Sequence, residues 1–325
     1  MEELVSIVMA TYKTDKEYLS ESINSILNQS YKNIELIIVC DGVEEEFNYI
    51  KDNFNDNRIN LILNDKNSGL PYSLNRGIKK ARGKYIARMD SDDVSLPDRI
   101  KLQKKYMDNN PNIEICGMYA RTFGDASRKI EYKFIKPSEV EIQMLYIPVL
   151  IHPTVMFRKT FFEKNIFYNE NFKCSQDYEL WSRAVNANNI SVIPYIGLNY
   201  RFHNKQIGQS KHEEQLKNTE LIYKYNLKKV SLTDGEAIYL FKFLYGFEPI
   251  TKSNYIILSK IIDNWLENNT YFSKKELKKV IYNRYMIQMI KSKLYFSLLN
   301  PKVFRKIYNF ENFKYLLWKI ERRIR

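Results

Sequence analysis

The first 120 residues alternate between two hydrophobic patterns. Continuous apolar runs of strand length are LVSIVMA over 4–10, IELIIVC over 34–40, INLIL over 59–63 and YIARM over 85–89, and 113–120 reads as a fifth. Between the first two, Leu19, Ile23 and Ile26 recur at helical spacing, as in a helix that buries one stripe. Thr14, with Glu17 three residues on, predicts a capping box at the start of that helix. Pro71 predicts the first turn of a helix closed by Arg82-Gly83, and Pro97 the start of another. Buried strands alternating with helices predict an α/β fold with a mostly parallel sheet flanked by helices on both faces. Ligands of such sheets bind at the carboxyl ends of the strands. Thr11-Tyr12, Asp41-Gly42 and the cluster Asp90-Ser91-Asp92-Asp93 all fall at such ends, so this topology gathers them into one pocket.

Farther on, LIHPTVMFRK reads as loop and strand, Asp177 opens the helical stretch DYELWSRAVNA, and 190–202 reads as extended. Beyond about residue 215 glycine becomes rare, strand patterns fade and helical patterns rich in Lys, Tyr, Ile and Leu take over. The expected organisation is a catalytic α/β domain over 1–215 and a basic helical region over 216–325. Charge divides the chain at the same place. Residues 1–215 hold 29 basic and 29 acidic residues and the remainder 22 and 9, so the second region carries the whole net charge of +13. Within 273–325 stand 15 basic and 3 acidic residues with ten aromatics, among them Tyr282, Tyr295, Phe296, Phe304, Phe310 and Trp318. Val303, Ile307, Phe310, Phe313 or Lys314, and Leu317 recur near helical spacing. Basic aromatic helices lie in membrane interfaces, where anionic lipid attracts each Lys or Arg by ~1 kcal/mol. The competing reading is a helical subdomain with a solvated basic face. No apolar run reaches the ~18 residues of a membrane span, and Met1-Glu2-Glu3-Leu4, with no basic stretch and apolar run after it, leads us to expect no signal peptide. Cys40, Cys116 and Cys174 are scattered, which argues against zinc and disulfides and fits a reducing cytoplasm. The expected location is cytoplasmic, peripheral on the inner face of the plasma membrane.

The acid cluster is the strongest chemical signal. Three carboxylates within four residues repel one another unless a cation sits among them. Mg²⁺ takes one or two carboxylates plus substrate phosphates, and Mn²⁺ suits similar ligands. The same run also reads as a solvated turn or a helix cap, but its place after a buried strand favours metal. Asp41 is open to two readings, an Asp-Gly turn or an acceptor for a base or ribose. Asp177 is a helix cap or a general base. His152 and His203 are each structural or ligating, and Trp181 is core or the wall of a sugar site.

Taken together, these stretches resemble family-2 glycosyltransferases of the GT-A fold. The resemblance runs over roughly residues 4–210, through VSIVMATYK, SINSILNQSYKNIELIIVCDG, NSGLPYSLNRGIKKARGKYIARMDSDD, LPDRIKLQ, HPTVMFRK, SQDYELWSRA and YRFHNKQIGQS. It implies a nucleobase pocket lined by Thr11 and Tyr12, with Asp41 bonded to the base, uracil. Asn67 and Gly69 match the loop that faces the nucleotide, and Asn75 the helix that follows. Asp90 would touch the ribose or the sugar, Asp92 would bind Mn²⁺ or Mg²⁺, and Asp93 would orient the donor. Asp177 matches the general base and His203 a further metal ligand; His152 receives no role. Two departures stand out. Many relatives have DDGS where this chain has Cys40-Asp41-Gly42-Val43. Many also have a diphosphate-facing arginine where this chain has Leu74; either Arg76 or Arg88 replaces it, or the metal carries more of the charge.

The implied reaction is inverting transfer of a hexose or N-acetylhexosamine from a UDP-sugar to a glycan, lipid-linked, as in bacterial capsule or O-antigen assembly. Two rival classes remain. A binder of nucleic acid would use the basic, aromatic C-terminal region, yet strand-end carboxylates repel phosphate without metal, and the expected partners exclude nucleic acid. A nucleotidyltransferase also pairs aspartates with metal but releases pyrophosphate. A dinucleotide oxidoreductase is disfavoured, because no GxGxxG follows the first strand.

Overall fold

A computed structural model of the chain describes residues 3–125, 129–130, 136–184, 186, 189–203, 212–251 and 253–292. It falls into two compact units, one of Met1–Glu141 with Pro148–Ile222, the other of Ile142–Ile147 with Tyr223–Arg325.

The first unit opens with β1 (Val5–Thr11), α1 (Lys16–Leu27), β2 (Ile34–Cys40), α2 (Glu44–Asn53), β3 (Ile59–Leu63), α3 (Leu70–Lys80) and β4 (Tyr85–Asp90). The order β3-β2-β1-β4 is parallel throughout. It continues with β5 (Val94–Ser95), α4 (Arg99–Asn109), β6 (Ile115–Gly124), β7 (Lys129–Ile130), α5 (Pro137–Met144), β8 (Met156–Arg158), α6 (Lys159–Glu163), α7 (Gln176–Ala184) and β9 (Ile190–Phe202). The sheet is mixed, in the order β3-β2-β1-β4-β8-β6-β9-β5 with β7 on β6. β8 runs antiparallel to both β4 and β6, and β9 lies parallel to β6.

The strands β1, β2 and β4 are apolar at nearly every position because both faces are covered. Ile7, Met9, Leu36, Ile38, Ala87 and Met89 pack against Leu19, Ile23 and Ile26 of α1 and Ile100 and Met107 of α4. Val8, Ile37 and Val39 point the other way, toward α3. There Gly77 lets the helix close in, since a Cβ at that position would stand 2.6 Å from Val8 Cγ1. Each fully buried Ile, Leu or Val of this core contributes about 1.5–3 kcal/mol of transfer free energy.

Two helix starts differ from expectation. The N-cap of α1 is Asp15, not Thr14: Asp15 Oδ1 accepts from the N–H groups of Glu17 at 2.9 Å and Tyr18 at 3.4 Å. Thr14 is drawn inward instead. Its N–H donates to the buried Glu46 carboxylate and its hydroxyl meets Ser91 Oγ at 2.8 Å. α4 starts at Arg99 with Asp98 as N-cap, so Pro97 precedes the helix and does not open it.

After β2 the chain turns at Gly42, whose φ is +76° and whose added Cβ would lie 2.3 Å from the backbone N of Asn67. Gly42→Ala is expected to destabilise the protein by about 2 kcal/mol or more, through left-handed strain and this clash. Urea titration would measure it, and an unchanged midpoint would contradict it.

α8 (His212–Asn226) spans the division at Tyr223, and the second unit continues with α9 (Asp234–Tyr245), α10 (Tyr255–Asn268) and α11 (Lys274–Lys291). α9 has a full capping box between Thr233 and Glu236 and ends at Gly246 in the left-handed conformation. α11 buries Leu277, Val280, Ile281, Tyr282, Tyr285, Met286 and Met289. The Tyr282 hydroxyl donates to Asp263 at 2.7 Å, and that of Tyr285 donates to the Tyr255 carbonyl at 2.8 Å. Lys274, Lys275 and Lys278 are exposed. This helix is packed within its own unit and leaves these lysines on its outer face. The basic aromatic segment VFRKIYNFENFKYLLWKIERRIR lies outside the described residues. Among the described residues no helix is long and apolar enough to cross a membrane.

Candidate active site

The strand register brings the sequence signals together. In β1, Ala10 pairs with Asp90 of β4 and Thr11 with Cys40 of β2, so Tyr12, Asp41 and the acid cluster leave the sheet at one level.

Ligand atoms of Asp90, Asp92 and Asp93 all lie within 4.8 Å of one another. Asp90 and Asp92 are half-buried and Asp93 is fully buried. His203, at the end of β9, places Nε2 3.0 Å from Asp92 Oδ2. Asp93 Oδ1 accepts the backbone N–H of Arg201 at 2.8 Å, while Oδ2 is buried without a partner. Burial pushes the Asp93 carboxyl well above its ordinary range, and the charges of Asp90 and Asp92 push it further. Burial also raises Asp90, against the pull of Arg88. Arg88 offsets part of this negative charge through its ion pair with Asp90. Two accessible carboxylates, an imidazole and an orphaned carboxylate oxygen form a donor set that fits Mg²⁺ or, with the imidazole, Mn²⁺.

Arg88 is buried beneath the cluster and ion-paired with Asp90. Its Nε and Nη1 have no partner. Arg76, the other candidate for the missing arginine, is committed elsewhere. Its Nη1 donates to Leu63 O at 2.8 Å and to Asn64 Oδ1 at 2.6 Å.

Asp177 sits in the first turn of α7, just after Ser175, which has a left-handed φ of +61°. Its carboxylate accepts from the N–H of Tyr178, from a place inside the first turn and not from the cap position that precedes Gln176. It also belongs to the charged site. Its charge raises Asp90, and Arg88 in turn lowers Asp177. Burial is the larger influence on Asp177 and pushes it above the usual carboxylate range.

On the side of β1 and β2, Thr11 is buried and its hydroxyl lies 3.0 Å from Thr14 Oγ1 and 3.3 Å from Glu46 Oε1; Tyr12 is exposed. Asp41 Oδ1 accepts from Asn64 Nδ2 at 2.7 Å and Ser68 N–H at 2.9 Å, and Oδ2 from Gly69 N–H at 2.8 Å. Asp41 thus anchors the loop over 64–69, in which Asn67 is exposed and Gly69 caps α3. A carboxylate offers about four lone-pair sites, so these three bonds leave one of Oδ2 unused.

Asn75 is engaged differently from the expected nucleotide contact. Its Nδ2 donates to Tyr168 O and Glu170 Oε1, both at 2.9 Å, and its Oδ1 accepts Tyr168 N–H at 3.0 Å. A buried amide needs such partners. Asn75→Ala leaves the Tyr168 N–H buried and unpaired, and is expected to cost about 2–3 kcal/mol. A urea midpoint equal to the wild type would refute that assignment. His152, left without a role by the sequence, pairs Nε2 with the Tyr168 hydroxyl at 2.7 Å. Burial holds its pKa well below the ordinary value, so it is neutral. Trp181 is core, fully buried and stacked on Phe157 at 5.7 Å.

Sequence reasoning missed Glu46 and Arg201. Glu46 stands in the run Glu44-Glu45-Glu46, which reads as a solvated helix start. Its spacing of four from the buried Ile50 was the one signal for an inward position.

The parallel strands β3-β2-β1-β4, closed by the aspartates after β4, have the architecture of a glycosyltransferase of the GT-A type. Comparison with known proteins bears this out. The model of glycosyl transferase family 2 matches residues 6–166. The O-antigen biosynthesis glycosyltransferase WbnJ of Escherichia coli is 34% identical over 220 residues, 64% of this chain and 83% of that protein. The UDP-Glc:alpha-D-GlcNAc-diphosphoundecaprenol beta-1,3-glucosyltransferase WfgD of Escherichia coli is 31% identical over 214 residues, 65% of this chain and 82% of that one. Among solved structures, S. aureus TarS 1–349 in complex with UDP-GlcNAc superposes with a TM-score of 0.58 at 16% identity, over 89% of this chain and 87% of TarS 1–349, a likeness of fold. The chain belongs to glycosyl transferase family 2.

Proposed function

We propose that the chain is an inverting transferase that moves a hexose or N-acetylhexosamine from a UDP-sugar to a hydroxyl of a lipid-linked glycan in surface-polysaccharide assembly. The observation that carries this reading is the proximity of the acid cluster and Asp177, two sets of carboxylates with separate duties in one charged site. The names of WbnJ and WfgD support the acceptor class, and the UDP-GlcNAc complex of TarS supports the donor class.

Each residue then has a task. Tyr12 offers an exposed ring to the base, and the free lone pair of Asp41 accepts from it. Asn67 and Gly69 line the nucleotide from the loop that Asp41 holds. Asp92 with His203 would hold Mg²⁺ or Mn²⁺, which when bound neutralises charge on the diphosphate. Asp90, fixed by Arg88, and Asp93 orient the donor. Asp177 takes the proton of the acceptor hydroxyl as its oxygen bonds to the anomeric carbon. The bond from that carbon to the diphosphate breaks, and UDP leaves with the electron pair. Attack from the face opposite the leaving group inverts the configuration.

A screen of nucleotide sugars with Mn²⁺, monitoring UDP release, tests this. Metal-dependent release from one UDP-sugar is expected. Pyrophosphate as the product, or no turnover of any nucleotide sugar, would overturn it.

The membrane part of the reading has its own test. Residues 293–325 contain nine basic and two acidic residues. A truncation for this purpose belongs after Ser292, because α11 is core to its unit. The full chain is expected to float with anionic liposomes, and the chain ending at Ser292 to stay behind. Equal flotation of the two would remove the idea, and with it the assignment to the inner face of the plasma membrane.

A further inference from the structure

The geometry points to Arg201 as a positioning residue that latches the end of β9 onto the acid-cluster turn and thereby sets the affinity of the site for a divalent cation. The inference rests on the metal reading above.

Asp92 and His203 come from segments 111 residues apart. Asp92 lies in the turn after β4, and His203 lies one residue past the end of β9. A pair of donors so placed binds metal well only if something outside the pair fixes their separation. β5 ties part of this region, through Val94 on Asn199 and Ser95 on Leu198, but those pairs end before Arg201.

Arg201 takes over from there with three bonds. Its backbone N–H donates to Asp93 Oδ1 at 2.8 Å. Its Nε donates to the carbonyl of Asp92 at 2.7 Å. Its Nη2 is ion-paired with Glu21 of α1. The guanidinium also lies against two rings, with Cζ 3.9 Å from the Tyr18 ring centre and 4.4 Å from that of Phe123. Phe123 pairs with Arg201 across β6 and β9. The Tyr18 ring meets the His203 imidazole at 5.8 Å. One side chain thus touches the backbone of Asp92, while its neighbour in space, Tyr18, touches the ring of His203.

Only a planar fork can serve this latch. Lysine keeps the charge but cannot donate to the Asp92 carbonyl and Glu21 at once in fixed directions, and it stacks on rings less well. Residues that orient metal ligands without touching the metal typically change affinity 10–100-fold when substituted.

The test measures Mn²⁺ binding directly, from the electron paramagnetic resonance signal of free Mn²⁺, for the wild type, Arg201→Lys, Glu21→Gln and Asp92→Asn. Arg201→Lys is expected to raise the dissociation constant by about 10–100-fold, and Glu21→Gln to raise it by a smaller factor. In transfer assays the apparent KM for Mn²⁺ should rise more than kcat falls, which general loss of structure would not produce. If the wild type fails to bind Mn²⁺, or Asp92→Asn binds it equally well, the metal reading itself falls. If Asp92→Asn loses Mn²⁺ while Arg201→Lys and Glu21→Gln bind as the wild type does, the latch falls and the metal reading stands. Should Arg201→Lys not fold, Glu21→Gln alone decides, since Glu21 is half-exposed on the surface of α1.

Discussion

Asp177→Asn is expected to reduce sugar transfer by about 10²–10⁴-fold, the range for removal of a positioned general base. UDP binding should be unchanged. The substitution is nearly isosteric and leaves a side-chain oxygen to accept the Tyr178 N–H. What it removes is the ability to take a proton. Calorimetry with UDP beside a transfer assay separates the two effects, and transfer at the wild-type rate would strip Asp177 of the role. The pH profile gives a second reading. A base works only when deprotonated, and burial raises the Asp177 carboxyl. Activity should therefore fall, as pH drops, at values above the ordinary aspartate range, and that limb should be missing from the residual activity of Asp177→Asn.

Asp92→Ala should have the opposite signature. It removes one of the two carboxylates accessible in the cluster and leaves His203 without its partner. Loss of a metal ligand at a diphosphate site removes several kcal/mol of charge stabilisation. UDP binding that depends on Mn²⁺ should weaken by at least about 100-fold, while any metal-independent binding persists. An unchanged metal requirement would place the ion elsewhere.

Much of this site was legible in the sequence because parallel strands make a simple rule. Buried strands reveal themselves as apolar runs, and the residues just after them share a pocket, so Tyr12, Asp41 and Asp90 group together on the strand pattern alone. The remaining contributors come from segments without such a rule. β8 has three residues and β5 two, too few to show a period, and the reversal of direction at β8 was invisible for that reason. Asn75 lies in a helix that reads as donor-facing, yet its amide bonds chain 93 residues away, a pairing no local pattern encodes. Thr14 was the cap read from the sequence, and Asp15 holds the position instead. The buried Glu46 decided between them by claiming Thr14. Arg201 looked like one more basic residue, because a cation packed against rings from α1 and β6 leaves no trace in spacing.

The clamp that Asn75 makes has a wider effect. Helix α3 begins at Gly69, on the loop that Asp41 holds, and its Asn75 grips Tyr168 and Glu170, a few residues ahead of Asp177. One helix therefore ties the loop that Asp41 holds to the segment that leads into α7.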